Sequence, residues 1–194
     1  LVGNVGANNG TLTFNNDGSY GFATGSDFDS LAAGQSRQVT FTYTATDDKG
    51  GVSAPKTVTI TVTGTNDVPV ASDDSKSTGE NAVLNASVPA ATDVDGTIAS
   101  YTLGTGVGAG NGSLLFNADG SYTFTPGSDF DALAPGATRD VSFTYTATDN
   151  NGGVSLPKTV TITVTGTNDL PVASNDSQGT GENAVLNASV PAAT

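Results

Sequence analysis

Hydrophobic and polar residues alternate with a period of two along much of the chain. In "RDVSFTYTATD" (139–149), Val141, Phe143, Tyr145 and Ala147 point to one face and Ser142, Thr144 and Thr146 to the other. This is the pattern of a half-buried antiparallel strand. "RQVTFTYTATD" (37–47) repeats it, and "KTVTITV" (158–164) uses the same device with Val160, Ile162 and Val164. The stretch "GSLLFNADGSYTF" (112–124) has two short apolar runs split by Asn-Ala-Asp-Gly, the chemistry of a tight hairpin in which Gly takes positive φ. "AVLNASV" (82–88) and "IASYTL" (98–103) also alternate and flank "PAATDVDG", and a short edge strand is expected near Val70–Ser75. Seven strands in roughly 100 residues predict an all-β fold, a β-sandwich with Greek-key connections.

The pattern also repeats as a whole. "TVTGTNDVPVA" (61–71) returns as "TVTGTNDLPVA" (163–173), 102 residues later. With 1–92 laid over 103–194 without a gap, about three quarters of the positions are identical, which marks a tandem array. Proline cannot donate to a central ladder, so Pro69 and Pro171 mark strand starts or linkers. The expected division is a first repeat over 1–66 that lacks its first two strands, a complete repeat over 69–169, and the first strands of a further repeat over 171–194.

Composition narrows the chemistry. Six basic residues against 19 acidic ones give a net charge of −13, which repels nucleic acid and anionic membrane surfaces and attracts cations. With no Cys and no His, the chain has neither disulfides nor thiolate or imidazole metal sites, and it lacks the commonest general base. No segment approaches the roughly 20 apolar residues of a membrane span, and no signal-peptide pattern opens the sequence, so an export signal is expected outside these residues.

Candidate chemistry lies in the acids. "TDVDG" (92–96) places Asp93 and Asp95 two residues apart before a Gly, either facing one cation or forming a plain turn. Only two acids are Glu, Glu80 and Glu182, both in "GENAVLNASVPAAT"; the longer side chain has a task there, or duplication copied an arbitrary residue. Asp29 and Asp131 precede the long strand, Asp149 ends it, and Asp67 and Asp169 end the last strand. Oxygen ligands without His or Cys select Ca²⁺ over transition metals. Paired acids such as Asp129 and Asp131 suggest glycoside hydrolysis, but Ser128, Phe130 and Leu133 read more simply as a loop packing one aromatic inward. There is no GxSxG, no phosphate-binding glycine loop before a helix, and no base for a nucleophile, so the expectation is no enzyme.

The order "GEN", "ATDVDG", "FTYTATDNNGG", "VTITVTGTNDLP" resembles the cadherin order of motifs, with TND-x-P where the Ca²⁺-binding linker stands. More closely, "NGSLLFNADGSYTFTPGSDFDALAPG" followed by "FTYTATDNNGG" and "VTITVTGTND" resembles the VCBS and cadherin-like Ig repeats of giant RTX-type bacterial adhesins. Carried over, the resemblance implies Ca²⁺ at a first junction held by Asp29, Asp67 and the Asn66 backbone carbonyl from upstream, with Asp93, Asp95 and Asp149 from downstream. It assigns Glu80 to the following junction with Asp131 and Asp169, and the repeat-equivalent Asn168 and Glu182 complete the set. The linker lacks the second Asn and the preceding acid of the cadherin pattern. The resemblance implies a secreted, extracellular or cell-surface rod module of an adhesin or biofilm filament. Its partners would be neighbouring repeats, with neither nucleic acid nor membrane insertion. A second reading is a homopolymer in which 171–194 of one chain completes 1–66 of the next, the phase of the repeats otherwise being that of a slice of an array. A third is an adhesive domain for sugars or proteins. Trp is absent and Tyr101, Tyr122 and Tyr145 fit strand alternation, which ranks it last.

Overall fold

A computed structural model describes residues 1–193. Eleven strands are present among them: β1 Thr11–Phe14, β2 Tyr20–Ala23, β3 Ser36–Tyr43, β4 Lys56–Thr63, β5 Asp74–Gly79, β6 Leu84–Ser87, β7 Ile98–Leu103, β8 Ser113–Phe116, β9 Ser121–Thr125, β10 Thr138–Asp149 and β11 Lys158–Thr165. β5 to β11 form two sheets, one ordered β5-β11-β10-β7 and the other β6-β9-β8. The chain passes back and forth between them, β5 in the first, β6 in the second, β7 in the first, β8 and β9 in the second, β10 and β11 in the first. That is the sandwich the alternation predicts, with seven strands. All pairings are antiparallel except β5 with β11, which run parallel from Val160↔Asp74 to Thr165↔Gly79.

The two sheets close over the residues the period of two selects. Val141, Phe143, Tyr145 and Ala147 of β10 and Val160, Ile162 and Val164 of β11 are buried against Tyr122 and Phe124 of β9, with Leu84, Ala86 and Phe116 partly buried beside them. Tyr122 meets Phe143 edge to face at 5.0 Å. Phe130, on the turn after Gly127–Asp129, is fully buried with the Arg139 guanidinium 3.8 Å from its ring centroid. The inward aromatic expected from that loop is therefore present. Asn-Ala-Asp-Gly makes the expected hairpin between β8 and β9, with Gly120 at φ 85° where any Cβ would press on Tyr101 and Val88.

Residues 1–66 form the equivalents of only part of this sandwich. The β1–β2 hairpin and the β3–β4 hairpin enclose a smaller core of Val5, Phe28, Val39 and Phe41. β3 stops at Tyr43, short of the expected Asp47, because the end of β10 is held by β7 (Tyr145↔Leu103 to Asp149↔Ile98) and β3 has no such neighbour. The expected edge strand at Val70–Ser75 is displaced. Val70 makes only an isolated bridge to Thr92, and the strand lies at Asp74–Gly79, a polar run paired through its backbone to β11. The strands expected over 171–194 do not form in 171–193, because each needs a sheet edge that this chain does not place beside it. Thr194 lies outside the described residues.

Candidate functional site

The TND phrase lies where β4 has ended and the next strands have not begun. Asn66 donates its Nδ2 to Asp149 Oδ2 at 2.8 Å, a side-chain bond between positions 83 residues apart. Asp149, the last residue of β10, is 2% exposed, and its Oδ1 accepts the backbone N–H groups of Asn151 at 2.7 Å and Gly153 at 2.8 Å. The Asn66 amide, followed by these backbone bonds against the opposing effect of burial, holds the Asp149 carboxyl below the usual carboxylate range. Asp47, at the matching position of the first repeat, makes the same turn with Lys49 and Gly51 N–H groups but is exposed, because no Asn reaches it.

Asp93 and Asp95 face the same junction. Asp93 Oδ1 accepts the Asp95 N–H at 3.0 Å, and the Asp95 carboxylate accepts the Asp67 N–H at 3.3 and 3.4 Å. Burial, and then the neighbouring Asp93 and Asp67 carboxylates, push the Asp95 carboxyl up. Asn150 fastens this loop to the exit of β10, its Oδ1 accepting the Thr97 N–H at 2.7 Å and its N–H reaching Thr97 O at 2.9 Å.

Two oxygens here, Asn66 Oδ1 and Asp93 Oδ2, are shielded from solvent with no hydrogen-bond partner among the described residues. Buried acceptors left unpaired are costly, so such atoms are where an oxygen-seeking cation fits. The donor set of Asn66, Asp67, Asp93, Asp95 and Asp149 is all oxygen and suits Ca²⁺. As they stand, no three acidic side chains among the described residues meet closely enough to hold a metal ion.

Sequence reasoning brought Asp67, Asp93, Asp95 and Asp149 to one place, and the structure does so as well. It differs on Asn66, whose side chain and not only its carbonyl faces the site. Asp29 is exposed at the end of the turn Gly25–Phe28 and shares a cleft with Asp67, apart from the pairings of Asp93 and Asp149. Asn150, Thr97 and Gly153 were not singled out. Gly153 is required by space: a Cβ there would collide with the Asp149 carboxylate and lie 2.5 Å from Asn66 Nδ2. The second Gly of "NNGG" was its only signal.

At the other end of β11, Glu80 is 2% exposed. Its Oε1 accepts the Thr167 N–H at 2.6 Å and hydroxyl at 2.8 Å, its own N–H donates to Thr165 O at 2.9 Å, and its Oε2 is buried without a partner among the described residues. Glu80 thus clips the turn after β5 to the exit of β11, and it shares a cleft with Ser128 and Asp131. Asp131, Asn168, Asp169 and Glu182 are exposed; Asn168 Nδ2 bonds Asp169 O at 3.1 Å, and Glu182 has only a 3.4 Å contact from Asn183.

A comparison with curated protein sequences finds no match. Among solved structures, the chain is similar to Drosophila N-cadherin EC1-4, with 16% identity, a TM-score of 0.46, and coverage of 84% of this chain and 41% of that one. It is similar to protocadherin gammaB7 EC3-6 with 17% identity, a TM-score of 0.44, and coverage of 90% and 43%. A Photobacterium 2,6-sialyltransferase matches with 17% identity, a TM-score of 0.32, and coverage of 50% and 18%. The chain spans less than half the length of each of these structures. Residues 66–166, more than half of the sequence, match the bacterial cadherin-like domain family, and the chain belongs to that family.

Proposed function

We propose that the chain is an extension module of a secreted bacterial surface adhesin or extracellular filament, of the VCBS and RTX-adhesin kind. It would be divided as 1–66, 69–169 and 171–194 and stiffened by Ca²⁺ where one repeat meets the next. The carrying observation is the pair of buried, unpartnered oxygens, Asn66 Oδ1 and Asp93 Oδ2, beside Asp95 and Asp149. Asn66, Asp67, Asp93, Asp95 and Asp149 would hold the ion, with Asp29 at the outer rim. When bound, Ca²⁺ supplies positive charge that offsets the mutual repulsion of these carboxylates. The chain's own contribution is the positioning. Asn66 anchors the linker to β10, Asn150 anchors the Asp93–Asp95 loop to the same strand, and Gly153 leaves room for both. Glu80, Asp131, Asn168, Asp169 and Glu182 would serve the following junction. Membership of a non-enzymatic, adhesion-type family supports this reading, and no helix among the described residues is long and apolar enough to cross a membrane. Thermal melting and small-angle scattering with Ca²⁺ and with EDTA test it: chelation should lower the melting temperature and loosen the junction, and identical curves would refute it.

A second reading, head-to-tail association of copies, is favoured by one observation. Val58, Ile60 and Val62 of β4 are only partly buried, whereas their repeat equivalents Val160, Ile162 and Val164 are fully buried. Size-exclusion chromatography tests it, and a strict monomer at high concentration would refute it.

A further inference from the structure

The chain carries an internal template for what covers β4. Over 69–169, β5 closes one sheet by parallel pairing with β11, and β6 closes the other by antiparallel pairing with β9. Residues 171–193 repeat the sequence that makes β5 and β6, yet they form no strand, and Val172, Val185 and Val190 are 65%, 85% and 82% exposed. Residues 1–66 repeat the sequence of β9 and β11 without the two covering strands. Tyr20 is 48% exposed where its equivalent Tyr122 is 2% exposed. Donor and acceptor thus stand uncovered in the same molecule, with sequences that already pack together once within it.

The donor is also prepared locally. In β5 and the turn that follows, Ala82 N–H donates to Gly79 O at 3.0 Å and the Thr78 hydroxyl to Ala82 O at 3.0 Å. The unpaired segment keeps both bonds, Ala184 N–H to Gly181 O at 3.1 Å and the Thr180 hydroxyl to Ala184 O at 3.4 Å. Ordering it against a sheet therefore leaves that turn unchanged.

We infer that residues 176–181 of one copy add in parallel to the free edge of β4 in a second copy, and that residues 186–189 add antiparallel to the free edge of its β2. This specifies the partner surface of the head-to-tail reading and rests on it. The template sets the register: Val58 opposite Asp176, Ile60 opposite Gln178 and Val62 opposite Thr180 on one edge, Phe22 opposite Leu186 and Tyr20 opposite Ala188 on the other. The inward positions of β5 are Asp74, Lys76 and Thr78, with Lys76 and Asp74 paired at 2.9 Å. Inward charges on an edge strand oppose indiscriminate pairing, because a slip of one residue turns every side chain to the other face. Asp176 keeps that property in the donor, and Leu186 and Val190 supply the apolar cover.

The absence of cysteine makes the register measurable by cross-linking. Thr59→Cys with Ser177→Cys places the two thiols opposite each other, and Thr59→Cys with Gln178→Cys shifts them by one. Because disulfides demand close Cα atoms and aligned Cβ vectors, mild oxidation of the full chain should link the first pair at least about tenfold more than the second, as a ladder of multimers on a non-reducing gel. Copies that associate on a sizing column without preferring the 59/177 pair would overturn this register and leave the head-to-tail reading standing. A strict monomer, or a 59/177 link formed only within single chains, would overturn both.

Discussion

Replacing Asn66 by Ala isolates the contact that ties the linker to the following sandwich. The substitution removes the 2.8 Å bond to Asp149 Oδ2 and exposes no new polar group of its own. Asp149 keeps its two short backbone bonds to Oδ1, and it sits 2% exposed at the end of β10. Its Oδ2 is then a buried charged acceptor without its partner. A hydrogen bond to a charged group contributes about 1.5–3 kcal/mol, and stranding the acceptor moves the loss toward the upper part of that range. For a unit of roughly 100 residues, where 1 kcal/mol shifts melting by about 4–8 °C, a loss near 2 kcal/mol lowers the melting temperature by roughly 8–16 °C. The measurement is calorimetric melting of both proteins in EDTA, so that only protein groups contribute. Asp47→Ala is the control, since that exposed acid makes the same local turn with no Asn across from it. If Asn66→Ala melts within about 2 °C of the parent, the linker bond does not hold the junction and the reasoning fails.

Four further outcomes are expected. Gly153→Ala should destabilise by about 1–3 kcal/mol through loss of the same bond, and the double variant with Asn66→Ala should fall well short of the sum in chemical denaturation; full additivity would contradict a shared site. Glu80→Ala should lower stability by about 2–3 kcal/mol by stranding Thr167, whereas Glu182→Ala should stay within about 0.5 kcal/mol; equal effects in thermal melts would refute the clip. Burial, with the Asp74 charge adding to it, pushes the Tyr122 hydroxyl up to about 12. The folded state then favours the neutral phenol, so its contribution is complete below the ordinary tyrosine value near about 10 and is lost as pH rises toward 12. Tyr122→Phe should be as stable as the parent at neutral pH, since the hydroxyl has no partner among the described residues, and should lose less stability at high pH; parallel alkaline curves would exclude Tyr122 as the source.

The sandwich was legible wherever burial and alternation coincide. β10 and β11 carry Val, Phe, Tyr and Ile on one face because that face meets β9, and the period follows directly. β5 escaped because its inward residues are Asp74, Lys76 and Thr78. What makes it a strand is the backbone ladder to β11, which leaves no mark in hydropathy. β3 was expected to run to Asp47, as its sequence matches β10, but strand length there depends on a neighbour the pattern does not encode. At the junction the acids were legible from their motifs. The Asn66 side chain, Asn150 and Gly153 were not, because their parts depend on approach across 83 residues or on room for a neighbour. Glu80 resolves the question its composition raised: the longer side chain spans from the turn after β5 to Thr167, a task the equivalent Glu182 does not perform in this chain.

The central claim is that Ca²⁺ sits between the linker and the loops of the following sandwich, and a high-resolution crystal structure of the chain grown with Ca²⁺ tests it most directly. The expected result is an ion at about 2.3–2.6 Å from Asn66 Oδ1 and from carboxylate oxygens of Asp93, Asp95 and Asp149, with anomalous signal at the same point. A well-ordered junction in millimolar Ca²⁺, with Asn66 Oδ1 and Asp93 Oδ2 facing only protein or water, would contradict it.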